Sequence, residues 1–219
     1  KGYLIWLSSR NNGLFWFMRE VMGLERFLMT IYDDPYLINE MLDFVLNYTI
    51  SFWGYILEKI EVDIVLISED MAYKGGPLLS PDTFREFLMP RYKKLTKFLR
   101  SYNIKNIFID SDGDMTMLIP LLLESGVNGL LPMEITGSMD LINIRKKFPD
   151  LKIAGGINKM KLFNNKAEID KELEKVTFLL KKGGYIPTID HSVPPNISWE
   201  NYKYFREKLN TIIDNFPKE

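Results

Sequence analysis

The chain has 219 residues, of which 46% are hydrophobic, so it can bury the core of one large domain. Its 28 basic and 29 acidic residues leave a formal net charge of −1, which excludes a general electrostatic attraction to nucleic acid or to an anionic membrane. No apolar run reaches the roughly 18 residues that a transmembrane helix needs, so no membrane span is predicted.

Cysteine is absent, which excludes disulfides, thiolate nucleophiles and zinc sites built on cysteine, and is typical of a cytoplasmic protein. The start of the chain lacks the basic segment, apolar segment and small-residue cleavage site of a secretion signal. The chain begins at Lys1 with a predicted strand two residues later. We therefore expect a partial chain.

Glycine, proline and aspartate divide the first half of the chain into alternating strands and helices. Asp34 and Pro35 indicate the start of one of the helices, with Asp34 as its cap and Pro35 in its first turn. In chain order we predict a strand at 3–8, helices at 12–32 and 35–60, a strand at 63–68, a loop at 71–80, a helix at 81–101 and a strand at 106–110.

The second half repeats this alternation. In chain order we predict a helix at 114–125, a strand at 129–133, a helix at 138–148, a strand at 151–155, a helix at 167–182, a strand at 184–189 and a helix at 198–214. Alternating strands and helices are typical of a parallel sheet with crossover helices. A doubly wound open sheet fits this pattern, and an eight-stranded barrel fits it better if two units are missing from the front.

Polar residues follow several predicted strands directly. Asp110-Ser111-Asp112-Gly113 comes after one strand, and Asp190-His191-Ser192, with the only histidine of the chain, comes after the last. Glu69-Asp70 and Glu134 end two others. In an α/β barrel the active site is built at the carboxyl ends of the strands. The sequence therefore predicts an enzyme with an acidic pocket mouth that attracts cations or accepts hydrogen bonds from pyrrole or amine N–H groups.

Several motifs, in order along the chain, resemble the uroporphyrinogen decarboxylase superfamily, which also contains corrinoid-dependent methyltransferases. They are Gly23-Leu24-Glu25-Arg26-Phe27, Tyr32-Asp33-Asp34-Pro35, Gly75-Gly76-Pro77-Leu78-Leu79-Ser80-Pro81 with Phe84 and Phe87, Glu124-Ser125-Gly126-Val127-Asn128-Gly129, Gly155-Gly156-Ile157-Asn158-Lys159 and Gly183-Gly184-Tyr185-Ile186-Pro187. The resemblance implies a (β/α)8 TIM-type barrel that is incomplete at the N-terminal side. Residues 1–219 would form a single domain holding its C-terminal six strand–helix units, with the arginines and the aspartate of the decarboxylases upstream.

The resemblance also assigns candidate roles. Asp110 and Asp112 stand where the zinc-dependent methyltransferases have a His-x-Cys pair, and His191 stands near their later cysteine and near the histidine of the decarboxylases' Gly-His-Gly run. Carboxylates and imidazole suit a divalent metal such as zinc. We therefore expect these three residues to be catalytic and to be metal ligands, although the thiolates of the zinc sites are missing. A helix cap is the alternative for Asp110.

We expect a functional role for His191. Imidazole titrates near neutral pH, so the residue can act as a general acid or base. A metal ligand and a hydrogen-bond donor to the substrate are the other options. Glu69 is a further catalytic candidate, whereas Asp70 fits a loop cap. We expect Glu134 in substrate binding, with an ion pair to Arg145 or Lys74 as the structural alternative.

The remaining substrate-binding candidates are weaker signals. Lys74, before Gly75-Gly76, can contact a phosphate or carboxylate, and a tight loop is the alternative. Arg10, after the first strand, can clamp a carboxylate. Gly155 and Gly156 allow a close approach to a ligand or to a neighbouring strand. Asn158 and Ser192 complete the set of polar contacts.

We therefore expect methyl transfer to or from a corrinoid or a similar one-carbon carrier. The first alternative is decarboxylation of a tetrapyrrole, in which Asp110 or Asp112 stabilises a pyrrole cation and His191 positions a carboxylate or donates a proton. The second is binding of a tetrapyrrole or a corrinoid protein without turnover. Expected partners are a small-molecule or tetrapyrrole substrate, a corrinoid protein and a second copy of the chain in a homodimer, and neither nucleic acid nor membrane is expected.

Overall fold

A computed structural model describes residues 2–9, 13–135 and 139–217 of the chain. The chain divides into two compact units, Lys1–Gly129 and Leu130–Glu219. Each unit contains parallel strands joined by helices, so the predicted α/β class is confirmed. Whether the whole chain acts as a single domain stays a prediction. No helix in the described ranges is both long enough and apolar enough to span a membrane.

The first unit starts with a strand and three helices and then alternates strands with helices. Its elements are β1 (Trp6–Ser9), α1 (Leu14–Met22), α2 (Leu24–Asp33), α3 (Pro35–Leu57), β2 (Ile64–Ser68), β3 (Ala72–Tyr73), β4 (Gly76–Pro77), α4 (Pro81–Thr83), a π-helical turn (Phe84–Leu88), α5 (Met89–Ser101), β5 (Ile107–Asp110) and α6 (Ile119–Glu124). β6 (Gly129–Leu131) begins at the end of this unit.

Three of these strands, β1, β2 and β5, lie side by side in parallel with β2 in the middle. The register pairs Ser9 with Ile67 and Ser68 with Asp110, so the three carboxyl ends are level. β2 and β5 form because they are continuous runs of β-branched and aromatic residues, which is typical of strands buried on both faces. In β5, Ile107, Phe108 and Ile109 are all buried.

Three predicted helices differ from those observed. The helix predicted at 12–32 is two helices, because Gly23 has a φ of +80° that no α-helix contains. The helix predicted at 81–101 contains the π-helical turn at Phe84–Leu88. The helix predicted from residue 114 begins only at Ile119, with Pro120 in its first turn. The start of α3 is confirmed, since the Asp34 carboxylate accepts a hydrogen bond from Leu37 N at 3.0 Å.

The second unit contains β6, β7 and β8 in that order within its sheet. Its further elements are α7 (Leu141–Lys147), β7 (Lys152–Ile157), a 3₁₀ turn (Lys159–Phe163), α8 (Lys166–Lys181), β8 (Tyr185–Ile189) and α9 (Trp199–Asp214). β7 and β8 are parallel, and Ile157 lies beside Ile189 at their carboxyl ends. The residues that follow these strands are therefore close to one another.

Gly155 and Gly156 allow the close approach of a neighbouring backbone segment and of a packed side chain. Gly155 has a φ of +103°, and a Cβ there would lie 1.9 Å from the Pro132 carbonyl oxygen. At Gly156 a Cβ would lie 2.4 Å from the Leu141 side chain. Gly156 N also donates to Pro132 O at 2.9 Å. Packing within this unit therefore explains both glycines, and a substrate contact at Gly156 stays a prediction.

Candidate functional site

In the first unit the carboxyl ends of β2 and β5 are joined by backbone hydrogen bonds. Glu69 N and Asp70 N both donate to the carbonyl oxygen of Asp110, at 2.8 and 3.4 Å. These bonds continue the parallel ladder one step beyond the strands. Glu69, Asp70 and Asp110 are thus brought together at one sheet edge, as the sequence predicted.

The turn that follows β5 is fixed by Ser111. Its buried hydroxyl oxygen accepts a hydrogen bond from Met71 N at 3.0 Å. Behind it Gly113 has a φ of +77°, and a Cβ there would lie 2.5 Å from Tyr73 N. Asp110 and Asp112, which flank Ser111, are partly exposed. The alternative of a helix cap for Asp110 is not observed, because α6 begins at Ile119 with Leu118 as its cap residue.

Glu69 holds the start of α1 from a distant part of the chain. Its carboxylate is fully buried and accepts hydrogen bonds from Leu14 N at 2.7 Å, Phe15 N at 2.7 Å and Trp16 N at 3.0 Å. The N-cap residue Gly13 offers no side chain, and a Cβ there would lie 1.8 Å from Ser68 O. Glu69 therefore satisfies N–H groups that a helix start leaves without partners.

The hydroxyl of Tyr92, which is also fully buried, donates a hydrogen bond to the same carboxylate. Burial disfavours the charged form and raises the pKa of Glu69 from 4.5 to about 7, although Tyr92 and the three N–H groups oppose this rise. Burial and the neighbouring carboxylate raise the pKa of Tyr92 well above its ordinary value. These contacts favour a positioning role for Glu69, and its catalytic role stays a prediction.

We expect Tyr92→Phe to lower the free energy of unfolding by about 2 kcal/mol, because a buried hydrogen bond to a carboxylate is lost. Chemical denaturation by urea measures this change. Tyr36→Phe is a matched control, since Tyr36 is 75% exposed and its hydroxyl should contribute little. Equal effects of the two substitutions would contradict the assignment.

Asp70 and Lys74 occupy turns beside this edge. Asp70 adopts a φ of +45°, and its carboxylate lies 3.9 Å from Arg19 and 3.4 Å from Asp112 N. Such local contacts fit the loop-cap interpretation of Asp70. Lys74 is exposed in the turn between β3 and β4, which pair antiparallel through Tyr73 and Gly76. This is the tight loop that the sequence offered as an alternative, and a ligand contact at Lys74 stays a prediction. Arg10 lies outside the described residues.

In the second unit a buried charged group joins the ends of β6, β7 and β8. Asp190 is fully buried and accepts hydrogen bonds from Ile135 N at 3.1 Å and Lys159 N at 3.0 Å. The ammonium of Lys159 lies 3.0 Å from Glu134 and 3.6 Å from Asp190, and its side chain is only 12% exposed. We call Glu134, Lys159 and Asp190 the strand-end ion group.

This group revises the expected partner of Glu134. The sequence offered Arg145 or Lys74, whereas the observed salt bridge is to Lys159. Arg145 is instead buried within its own unit and donates to Pro149 O at 2.8 Å and Leu151 O at 2.6 Å. Burial lowers the pKa of Arg145.

His191 and Ser192 follow the strand-end ion group and are exposed. Asn158 caps the 3₁₀ turn, since its side-chain oxygen accepts from Met160 N at 2.9 Å, and its own N–H donates to Glu172 at 2.7 Å. The roles of these three residues in substrate binding or catalysis stay predictions. Their positions after β7 and β8 agree with the predicted strand ends.

The predicted site residues did not include Lys159, Asp190 or Tyr92. A signal was present for both strand-end residues. Asp190 directly follows the strand predicted at 184–189, and Lys159 is the last residue of the Gly155–Lys159 motif that follows the strand predicted at 151–155. No local signal identifies Tyr92, which lies inside a helix and reaches Glu69 only through the tertiary structure.

Among the residues that the structure describes, no group of three or more histidine, aspartate or glutamate side chains is arranged to hold a metal ion. The metal role of Asp110, Asp112 and His191 stays a prediction.

Comparison with known protein families supports the family resemblance of the sequence motifs. The family model described as Uroporphyrinogen decarboxylase (URO-D) matches residues 14–212, which include every described strand except β1. A comparison with curated proteins gave no match. Since the family model covers most of the chain, the protein belongs to the uroporphyrinogen decarboxylase superfamily.

Proposed function

We propose that this protein is an enzyme that moves a methyl group to or from a corrinoid or a similar one-carbon carrier. The observation that carries the proposal is the pair Asp110 and Asp112, which stands at the carboxyl end of β5 and is fixed by the buried Ser111. By family resemblance, Asp110 and Asp112 stand at the two positions where the zinc-dependent methyltransferases have their His-x-Cys pair. Two partly exposed carboxylates there favour a methyl donor or acceptor with positive charge or N–H groups.

As part of this proposal, the α/β chain belongs to an eight-stranded barrel. Within the described residues β1 pairs with β2 alone and lies at the edge of its sheet, so its outer edge can accept a further strand. Barrel enzymes carry their chemistry at the carboxyl strand ends, where Asp110 and Asp112 lie. A cytoplasmic location is a further part of the proposal.

Decarboxylation of a tetrapyrrole is the second candidate. His191 is exposed after β8 and can donate the proton that replaces the departing carbon dioxide on the substrate carbon. In that reaction Asp110 or Asp112 would stabilise the positive charge of a protonated pyrrole. Binding of a tetrapyrrole or a corrinoid protein without turnover is the third candidate.

One experiment separates these functions. The intact protein is given a methylated corrinoid together with a thiol as methyl acceptor and, separately, a porphyrinogen that carries carboxylate side chains. Corrinoid absorbance and released carbon dioxide are followed. The same assays are run on Asp110→Asn, Asp112→Asn and His191→Asn, with Asp82→Asn as a control, because Asp82 is 93% exposed in a surface pair with Arg85. Corrinoid turnover that is lost in both aspartate variants and kept in the control supports methyl transfer.

Carbon dioxide release would support decarboxylation instead, and binding without either product would support the third candidate. Elemental analysis of the intact protein and of an Asp110→Ala, His191→Ala double variant tests the predicted metal separately. About one divalent metal per chain, lost in the double variant, is the expected result.

A further inference from the structure

A cavity in the second unit lies at the carboxyl ends of helices α7 and α8. It has a volume of about 240 Å³ and is lined by Arg145, Lys146, Pro149, Phe178 and Lys182. We call it the basic cavity. Arg145 donates to the carbonyl oxygen of Leu151, the residue before β7, whereas Lys159 follows the other end of that strand. The basic cavity is therefore separate from the candidate site at the carboxyl ends of the strands.

Arg145 is a buried cation whose hydrogen-bond partners are all neutral. The residue is 2% exposed, and its terminal nitrogens donate to the carbonyl oxygens of Pro149, Leu151 and Gly184. Within the described ranges its Nε has no hydrogen-bond partner, and its guanidinium forms no salt bridge with a carboxylate. Buried charges are normally paired with an opposite charge, because the loss of hydration is costly. The guanidinium of Arg145 therefore lacks a counter-ion.

Asp150 does not supply this counter-ion. Its carboxylate is exposed and acts on Arg145 only through a weak electrostatic attraction, without a salt bridge. Burial lowers the pKa of Arg145, and the opposing effect of Asp150 is smaller, so the pKa remains below its ordinary value. The surrounding protein thus stabilises the charged guanidinium less well than water does. A bound anion would restore the balance.

Lys146 and Lys182 add two exposed ammonium groups to the lining of the basic cavity. Neither forms a salt bridge in the part of the chain that the structure describes. The segments 141–152 and 178–184, which supply the lining, contain six basic residues and one acidic residue. Basic residues near the end of a helix interact favourably with its carboxyl terminus, which explains lysines there but not a buried guanidinium without a counter-ion. The cavity therefore favours a negatively charged ligand.

The size and lining of the basic cavity indicate which anion it fits. Its volume is several times the roughly 30 Å³ that one water molecule occupies in the liquid, so it can hold a polyatomic anion. A phosphate group carries a charge of about −1.5 to −2 at pH 7 and several acceptor oxygens, so it can face three cations at once. Pro149 and Phe178 form an apolar wall, which an apolar substituent on the phosphate can contact.

We propose that the basic cavity binds a small phosphate monoester. The phosphate group lies beside Arg145, Lys146 and Lys182, and the apolar part of the ester packs against Phe178. This site is independent of the proposed methyl transfer, because it shares no residue with the strand ends. A ligand that binds only the folded protein increases its stability by mass action, so occupancy would also hold the end of α7 and the end of α8 together.

Isothermal titration calorimetry of the intact natural protein, in a buffer without phosphate or sulfate, tests the proposal. Phenyl phosphate should bind at a single saturable site and more tightly than inorganic phosphate. A Lys146→Gln, Lys182→Gln double variant should bind both about tenfold more weakly, because two of the three cations are removed. The matched control is Lys94→Gln with Lys97→Gln, which removes the same charge from exposed positions on α5 and should bind like the wild type.

Phe178→Leu separates the ester from the free ion. This variant should bind phenyl phosphate more weakly than the wild type and inorganic phosphate equally well. If inorganic phosphate binds the wild type as tightly as phenyl phosphate, the site belongs to the free ion and the assignment of a monoester is wrong. A wild type without saturable binding, or equal binding by the two lysine double variants, would overturn the anion site itself. Phenyl phosphate should also raise the melting temperature of the wild type and not that of the Lys146→Gln, Lys182→Gln variant.

Discussion

Replacing Glu69 with alanine will lower the free energy of unfolding by about 3 to 5 kcal/mol. The substitution removes the acceptor of three backbone N–H groups at the start of α1 and of the Tyr92 hydroxyl. The side chains of Glu69 and Tyr92 are both fully buried. Buried donors without partners are costly, because they have lost their hydrogen bonds to water as well. Urea denaturation followed by circular dichroism measures the loss.

The matched control is Glu20→Ala on the same helix. Glu20 is exposed, so its removal should change the free energy of unfolding by less than about 0.5 kcal/mol. If the two alanine variants were equally stable, Glu69 would have no role in holding α1.

The stability that depends on Glu69 should also fall as pH rises. Its pKa is about 7 in the folded protein and near 4.5 when exposed, so between these values the folded state binds the extra proton. The free energy of unfolding therefore decreases with pH across this window, by about 3 kcal/mol in total for this group. Glu69→Gln, which does not titrate, isolates the effect: the stability of the wild type relative to this variant should be higher at pH 5 than at pH 7.5. A difference that is constant or increases with pH would contradict the prediction.

Lys159→Met will destabilise the protein by about 3 kcal/mol, because it leaves the fully buried Asp190 beside Glu134 without the cation between them. Methionine keeps most of the side-chain volume of lysine, so the decrease in the free energy of unfolding comes from the lost charge and not from lost packing. Thermal and urea unfolding of the variant provide the measurement.

Lys161→Met is a close control. Lys161 forms its ion pair with Glu168 at 2.9 Å, but water reaches both side chains, so the loss of this pair should destabilise the protein far less than the loss of Lys159. Adding Asp190→Asn to Lys159→Met removes the uncompensated charge and should recover part of the stability. If the double variant were less stable than Lys159→Met alone, the charge balance would not be the cause.

The strands were predictable because they are local features. β2 and β5 are runs of Ile, Val and Phe that end at acidic residues, and the predicted strands contain them. The break at Gly23 was missed because hydrophobic periodicity continues through it, whereas its positive φ depends on how α1 and α2 pack. Sequence patterns therefore placed the strand ends well and the helix junctions less well.

The polar contacts behind the candidate site were not predictable from spacing. Glu69 lies 55 residues along the chain from Leu14, whose N–H donates to it, and 23 residues from Tyr92. Lys159 lies 25 residues from Glu134. Such partners become neighbours only when the order of strands is known, so a single sequence identifies the acidic residues but not the groups that fix them.

The hydrogen bond from Met71 N to Ser111 links two turns that follow different strands. It ties the turn after β5 to the residue that comes directly after Glu69 and Asp70, through a buried hydroxyl. For protein engineering, Ser111 is therefore a position where one substitution would disturb the ends of both β2 and β5. Ser111→Thr keeps the hydroxyl that accepts this hydrogen bond, whereas Ser111→Ala removes it.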